Sequence, residues 1–311
     1  RLIPTTVRYG KVYPEFQQLI EEGYDWDKEK IESYQFEQLK KSLTEAWNHC
    51  PFYKKHFEEA GVSLDDFKSL EDIKKFPTIE KQDLLDNEAE LTSTRLTDSE
   101  KMRITTGGST GVPVGFYLQK GVSRSKEQAF LEGMWMRSGY DVKSKVAVVR
   151  GHVTSKFSDG KVSYYDATRN WLVMSSYHLT EDRIDEYIEA LNRFKPEYLH
   201  FYPSAALAIA EIFKATGKSL NFKPKGMLCG SERLELPQKR ILEDAFGCRI
   251  YRWYGHAERI VLAGEGKDSE YFYFWPTYGY AELGEADENG YREVIGTSFH
   301  NMAMPFIRYR T

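Results

Sequence analysis

Thr105-Thr106-Gly107-Gly108-Ser109-Thr110-Gly111-Val112-Pro113 is the stretch whose residue types and spacing most directly imply chemistry. Glycines carry no Cβ, so backbone N–H groups can converge on an anion, and the Ser and Thr hydroxyls add further donors. Such a loop suits a polyphosphate. It is not a Walker loop, because no Gly-Lys-Ser/Thr closes it. Gly217-Lys218-Ser219 has that ending, but Ile212 occupies the position of the required upstream glycine, so the triplet reads as a helix end. On composition alone the 105–113 loop serves equally as a surface turn. Gly264-Glu265-Gly266 has Ser269 where a dinucleotide fingerprint needs glycine, and it precedes β structure rather than a helix, which argues against a Rossmann dehydrogenase.

A phosphate loop needs a strand to feed it, and Met102–Thr105 is short and β-prone. Beyond it the pattern alternates. A helix is expected over about Ser123–Arg137, then strands at Lys145–Val149 and Trp171–Met174. Thr180 is expected to cap a helix whose Ile184, Tyr187, Ile188 and Leu191 fall at i, i+3, i+4 and i+7. A strand at Tyr198–Tyr202 follows, then a helix opened by Pro203 and stopped by Gly217, a strand at Gly226–Cys229, and a helix over Pro237–Phe246 closed by Gly247. The first hundred residues read as helical, with Lys28–Cys50 forming one helix and Pro51 opening another that Gly61 ends. After Tyr251, strands at Tyr271–Trp275, Tyr278–Leu283, Tyr291–Thr297 and Phe306–Arg310 predict a small antiparallel β subdomain. The fold class is therefore α/β, with two α/β subdomains and that β subdomain.

At 311 residues, 41% apolar and 29% charged, the composition is that of a globular protein. A net charge of −4 argues against nucleic-acid binding through a broad basic face and favours small-molecule chemistry. Cys50, Cys229 and Cys248 form no Cys-x-x-Cys pair, so neither a disulfide framework nor a sulfur-rich zinc site is expected. The most apolar run, Ala205–Phe213, is about half the length that spans a bilayer, and no export signal is visible, so a cytoplasmic protein without a membrane span is expected. Arg1 is not a start methionine and Thr311 follows no stop signal, so the chain reads as a fragment.

The order Gly108-Ser109-Thr110-Gly111-Val112-Pro113 resembles the phosphate loop of adenylate-forming enzymes. Two downstream segments match in the family's order. Cys229-Gly230-Ser231-Glu232 is similar to the stretch that lies along adenine. Tyr254-Gly255-His256-Ala257-Glu258 resembles the Tyr-Gly-x-x-Glu motif, whose ring packs on adenine and whose carboxylate reaches magnesium. A lone Glu258 would otherwise read as a solvated strand-end carboxylate, and a lone His256 as a packing residue. Phe306–Thr311 resembles the strand before the ribose-binding aspartate, which would fall past Thr311, as would a C-terminal lid domain with its lysine. The closest resemblance is to the phenylacetate–CoA ligase family, in the branch associated with capsular polysaccharide synthesis. Ser175-Ser176-Tyr177-His178-Leu179 and Phe201-Tyr202-Pro203-Ser204-Ala205 resemble that branch's substrate-side segments, and Glu258-Arg259 with Gly264-Glu265 fits it too.

The resemblance implies that residues 1–311 form an adenylation main domain: a helical lead-in over 1–100, a first α/β part over 101–226 and a second with the β subdomain over 227–311. It implies ATP and magnesium at Thr106, Gly107, Gly108, Ser109, Thr110, Gly111, Gly230, Ser231, Glu232, Tyr254, Gly255 and His256, with Glu258 as metal ligand. Thr110 and Glu258 would be catalytic, and Tyr177, His178, Tyr202, Pro203 and Ser204 would face the substrate. The implied reaction joins a small carboxylate to AMP, releases pyrophosphate and passes the acyl group to CoA or another acceptor; a homodimer is among the expected assemblies. Val114 stands where many acyl-CoA synthetases carry a phosphate-loop lysine, so charge must come from elsewhere, with Arg103, Arg150 or the lid as candidates. The rival readings are a nucleotidyltransferase that keeps AMP on its product and a degenerate nucleotide-binding partner protein.

Overall fold

The computed structural model describes residues 5–106, 113–151, 157 and 160–311. The chain begins with helices α1 (Thr5–Tyr9), α2 (Tyr13–Gly23), α3 (Lys28–His49), α4 (Pro51–Glu59) and α5 (Lys81–Leu91). Asp27 starts α3 by accepting a hydrogen bond from the Lys30 N–H. Pro51 begins α4 at a position where its missing N–H costs nothing. A hairpin then pairs β1 (Lys101–Thr105) with β2 (Gly115–Gln119), so the predicted phosphate loop joins two antiparallel strands. Helix α6 (Ser123–Met136) follows.

A mixed sheet contains β3 (Val146–Arg150), β5 (Trp171–Ser175), β6 (Tyr198–Phe201), β7 (Gly226–Cys229) and β8 (Ile250–Gly255) as parallel strands, with β4 (Ser163–Asp166) antiparallel to β5 at one edge. Helices α7 (Ile184–Phe194), α8 (Pro203–Thr216) and α9 (Leu236–Phe246) connect them. Strands β3, β6 and β7 are almost wholly buried, as near-continuous apolar runs covered on both faces should be. With β9 (Leu262–Glu265) and β10 (Phe272–Phe274) the order across the sheet is β10-β9-β8-β7-β6-β3-β5-β4. The chain leaves β3 toward β5 on one side and returns to β6 on the other, and both neighbours run parallel to β3. The strand order therefore reverses at β3, the point where open α/β sheets bind ligands beyond their carboxyl ends. Helices α8 and α9 end where Gly217 and Gly247 take left-handed φ values of 70° and 64°. Their apolar faces, with Ile209, Phe213, Leu242 and Phe246, join Val149, Met174, Leu199 and Met227 of the sheet in one core.

The last strands, β11 (Gly279–Ala286), β12 (Arg292–Ser298) and β13 (Tyr309–Arg310), form a three-stranded antiparallel sheet. The described chain divides into two compact units. A sheet unit comprises Met134–Tyr254 and Gly264–Tyr273; a flanking unit comprises 5–133, Gly255–Ala263 and Phe274–Thr311. Within the flanking unit, Ser42 donates to the Ser298 carbonyl and Tyr53 to the Pro305 carbonyl, tying α3 and α4 to the segments around the small sheet.

The α/β class and the small antiparallel sheet match the sequence expectation, with two local corrections. Thr180 makes no side-chain cap; a 3₁₀ turn over Glu181–Arg183 intervenes before α7. The strand predicted at Tyr271–Trp275 is β10 at the edge of the large sheet, not part of the small one. Which edge a returning three-residue strand joins is decided by the path of the chain, which residue type does not encode.

Candidate adenylate site

In the sheet unit the candidate residues gather where β3, β6 and β7 end. Arg150 closes β3. Its Nη2 donates to Ser231 Oγ at 2.9 Å, Nη1 lies 3.2 Å from His200 Nε2, and the guanidinium sits 4.8 Å from the centre of the Tyr202 ring. Ser231 adopts φ 70°, unusual for a residue with a Cβ, immediately after Gly230. Gly230 is required by packing: a Cβ there would lie too close to Trp253 Cε2 for any side chain unless Trp253 moves. Trp253 packs beside His200 and Trp135, with ring centres 5.5 and 5.9 Å away.

Glu232 is committed to the start of α8. Its two carboxylate oxygens accept from the Ser204 N–H at 2.8 Å and the Ser204 hydroxyl at 3.0 Å. This charge at a helix N-terminus satisfies an otherwise orphaned donor, and Pro203, the first residue of α8, has no N–H to offer. Tyr202 precedes the helix as its N-cap. His178 folds back on Ser175, its Nδ1 2.8 Å from the hydroxyl, while Tyr177 is 67% exposed with its hydroxyl near Gly151. Tyr254 lies half-buried near the end of β8. Burial pushes the Cys229 thiol far above its ordinary value, so this residue is no nucleophile at neutral pH.

In the flanking unit Glu258 is buried, yet its carboxyl is held below the ordinary value. Burial acts to raise it, and this is outweighed by the hydrogen bond and charge of His256, with the Tyr309 hydroxyl adding to the effect. His256 Nδ1 lies 3.1 Å from Glu258 Oε2. The turn closes when the Arg259 N–H donates to the His256 carbonyl, with Arg259 at φ 57°. Of the phosphate loop, Thr106 pairs with Val114 at the neck: its N–H donates to the Val114 carbonyl, and its hydroxyl accepts from the Val114 N–H. Gly107, Gly108, Ser109, Thr110 and Gly111 lie outside the described residues. Val114 is buried, so its side chain points into the protein. Arg103 is already engaged in a two-point ion pair with Glu88, at 2.6 and 2.8 Å.

No family model matches the chain. Individual proteins do. Protein CapK of Staphylococcus aureus is 26% identical over 305 residues, spanning 97% of this chain and 66% of that protein. The phenylacetate-coenzyme A ligase of Escherichia coli is 27% identical over 304 residues, spanning 91% and 66%. That of Pseudomonas putida is 28% identical over 297 residues, spanning 90% and 65%. The chain is thus similar in sequence to phenylacetate-coenzyme A ligases and to Protein CapK. Two crystal structures of 2-hydroxyisobutyryl-CoA ligase share its fold. One holds 2-HIB-AMP and CoA in the thioesterification state, with a TM-score of 0.71, 20% identity and coverage of 91% of this chain and 63% of that one. The other, in the postadenylation state with R3-HIB-AMP, has a TM-score of 0.70, 20% identity and coverage of 90% and 61%. The chain spans about two-thirds of the length of the curated relatives it matches.

Among the described residues no group of three or more His, Cys, Asp or Glu is arranged to hold a metal ion, and no helix is long and apolar enough to cross a membrane. His200 and Trp253 were not singled out in the sequence. The available signal was position: Trp253 directly precedes Tyr254, and His200 lies within an otherwise apolar and aromatic strand.

Proposed function

We propose that this protein activates a carboxylic acid with ATP, forming an acyl adenylate and pyrophosphate, and then passes the acyl group to CoA or another acceptor. The observation that carries the reading is Glu258: a buried carboxylate kept ionised by His256 and Tyr309, inside a Tyr-Gly-x-x-Glu segment. Magnesium prefers one or two carboxylates plus substrate phosphates to an all-protein cage, and Glu258 fits that role. In this reading Thr106–Gly111 take the phosphates, with Thr110 as a donor to the reacting group. Gly230, Ser231 and Glu232 lie along the adenine and Tyr254 packs on it, with Gly255 and His256 also assigned to nucleotide binding. Tyr177, His178, Tyr202, Pro203 and Ser204 border the acyl group. Residues 1–311 act as the adenylation main domain.

Attack of a carboxylate on the α-phosphorus is opposed mainly by like charge, so positioning and neutralisation suffice and no general base is required. The likeness to phenylacetate-coenzyme A ligases supports CoA as acceptor, and the likeness to Protein CapK supports a place in surface polysaccharide synthesis. The test is mass spectrometry of the full-length protein incubated with ATP, magnesium, CoA and a panel of aryl, fatty and hydroxy acids. Acyl thioester plus free AMP is expected. AMP found on an added phosphate-bearing acceptor, with no acyl adenylate or thioester from any acid, would instead establish nucleotidyl transfer.

A further inference from the structure

Arginines 103, 183, 252, 308 and 310 all pair with carboxylates. Arg150 does not. Among the described residues no acidic group lies within ion-pair distance of it, and its contacts with the Ser231 hydroxyl, the His200 ring and the Tyr202 ring are all with groups that carry no negative charge. For His200 Nε2 to accept from Nη1 the ring must be neutral and carry its proton on Nδ1, so the geometry leaves the arginine charge without compensation. A guanidinium has five N–H donors, and two are used here; the Nε–H and one hydrogen on each terminal nitrogen remain uncommitted among the described residues. The side chain is half-buried, stacked on one face and braced at two nitrogens. It sits at the carboxyl end of β3, where the strand order reverses. The other candidate for positive charge within the described residues, Arg103, is bound to Glu88, and the buried Val114 supplies none.

We infer that Arg150 recognises an anionic oxygen group of the ligand, phosphoryl or carboxylate, at the ends of β3, β6 and β7. The planar fork suits two-point contact with either group. The inference rests on the nucleotide-and-acid reading above, and it narrows the ligand: the negative group is the adenylate phosphate or a second acidic group on the acyl substrate.

The test is calorimetric titration of wild type, Arg150→Gln and Arg150→Lys with AMP and with adenosine. It is paired with pyrophosphate exchange driven by acids with one or two anionic groups. If the phosphate is the partner, Arg150→Gln weakens AMP about tenfold or more while adenosine is unchanged, and Arg150→Lys recovers part of the loss. If the acyl group is the partner, AMP is unchanged and only exchange driven by doubly anionic acids falls. Should Arg150→Gln not fold, as judged by its thermal melt, the lysine variant carries the same comparison. Equal weakening of AMP and adenosine, or no change in any ligand, would overturn the inference and leave Arg150 as a brace for Ser231. Absence of AMP binding by the wild type would overturn the nucleotide reading itself.

Discussion

At the scale of single residues, Glu258 and His300 show how burial sets chemistry. Glu258 has a folded-state pKa below its unfolded value of about 4.3, so its stabilising contribution is full at neutral pH and disappears as pH falls through the folded value. The stability difference between wild type and Glu258→Gln, measured by urea unfolding, should therefore narrow on acidification from pH 6 to 3. A constant difference would mean the carboxylate is not held ionised. In pyrophosphate exchange the same variant should lose most activity and regain part of it at high magnesium, since an amide keeps the shape but weakens attraction for the metal; a lost proton-transfer base would show no such rescue. His300 lies edge-on to Phe16 and beside the Tyr34 hydroxyl, and its pKa is pushed down to about 3, chiefly by burial and secondarily by Lys126 and Lys41. Its unfolded value is about 6.5, so the fold loses stability as pH drops from there toward 3, and His300→Phe should flatten that part of the curve. Glu258 was legible in the sequence because its motif is local. The surroundings of Arg150 were not, because His200 and Ser231 stand 50 and 81 positions away and meet it only through the strand order.

At the scale of elements, punctuation residues were legible and sheet membership was not. The strand Gly226–Cys229 and the stops at Gly217 and Gly247 are where the sequence puts them, since glycine at φ near 65–70° solves a local problem. The β10 assignment and the turn before α7 depend on tertiary path. Two contacts fix the exit of β7. Trp253 on β8 fills the space above Gly230, so Gly230→Val should cost about 2 kcal/mol in thermal or urea unfolding and weaken AMP binding; a neutral effect would show that Trp253 moves aside freely. Glu232 and Ser204 lock the β7 exit to the first turn of α8, and a double-mutant cycle with Glu232→Gln and Ser204→Ala should give a coupling of about 1 kcal/mol. Additive single effects would mean the contact is not maintained in solution.

At the scale of the whole molecule, the alternation of strand and helix predicts the α/β class, and it appears as one eight-stranded sheet and a separate three-stranded antiparallel one. The division into compact units crosses the chain several times, with Gly255–Ala263 belonging to the flanking unit, and no composition shift marks those crossings. The central claim is that this fold makes an acyl adenylate, and it is tested most directly by exchange of radiolabelled pyrophosphate into ATP by the full-length protein. Exchange that requires a carboxylic acid, and that falls sharply in Thr110→Val and Glu258→Gln, is the expected result. Exchange absent with every acid in a broad aryl, fatty and hydroxy-acid panel, with no binding of ATP by calorimetry, would contradict it.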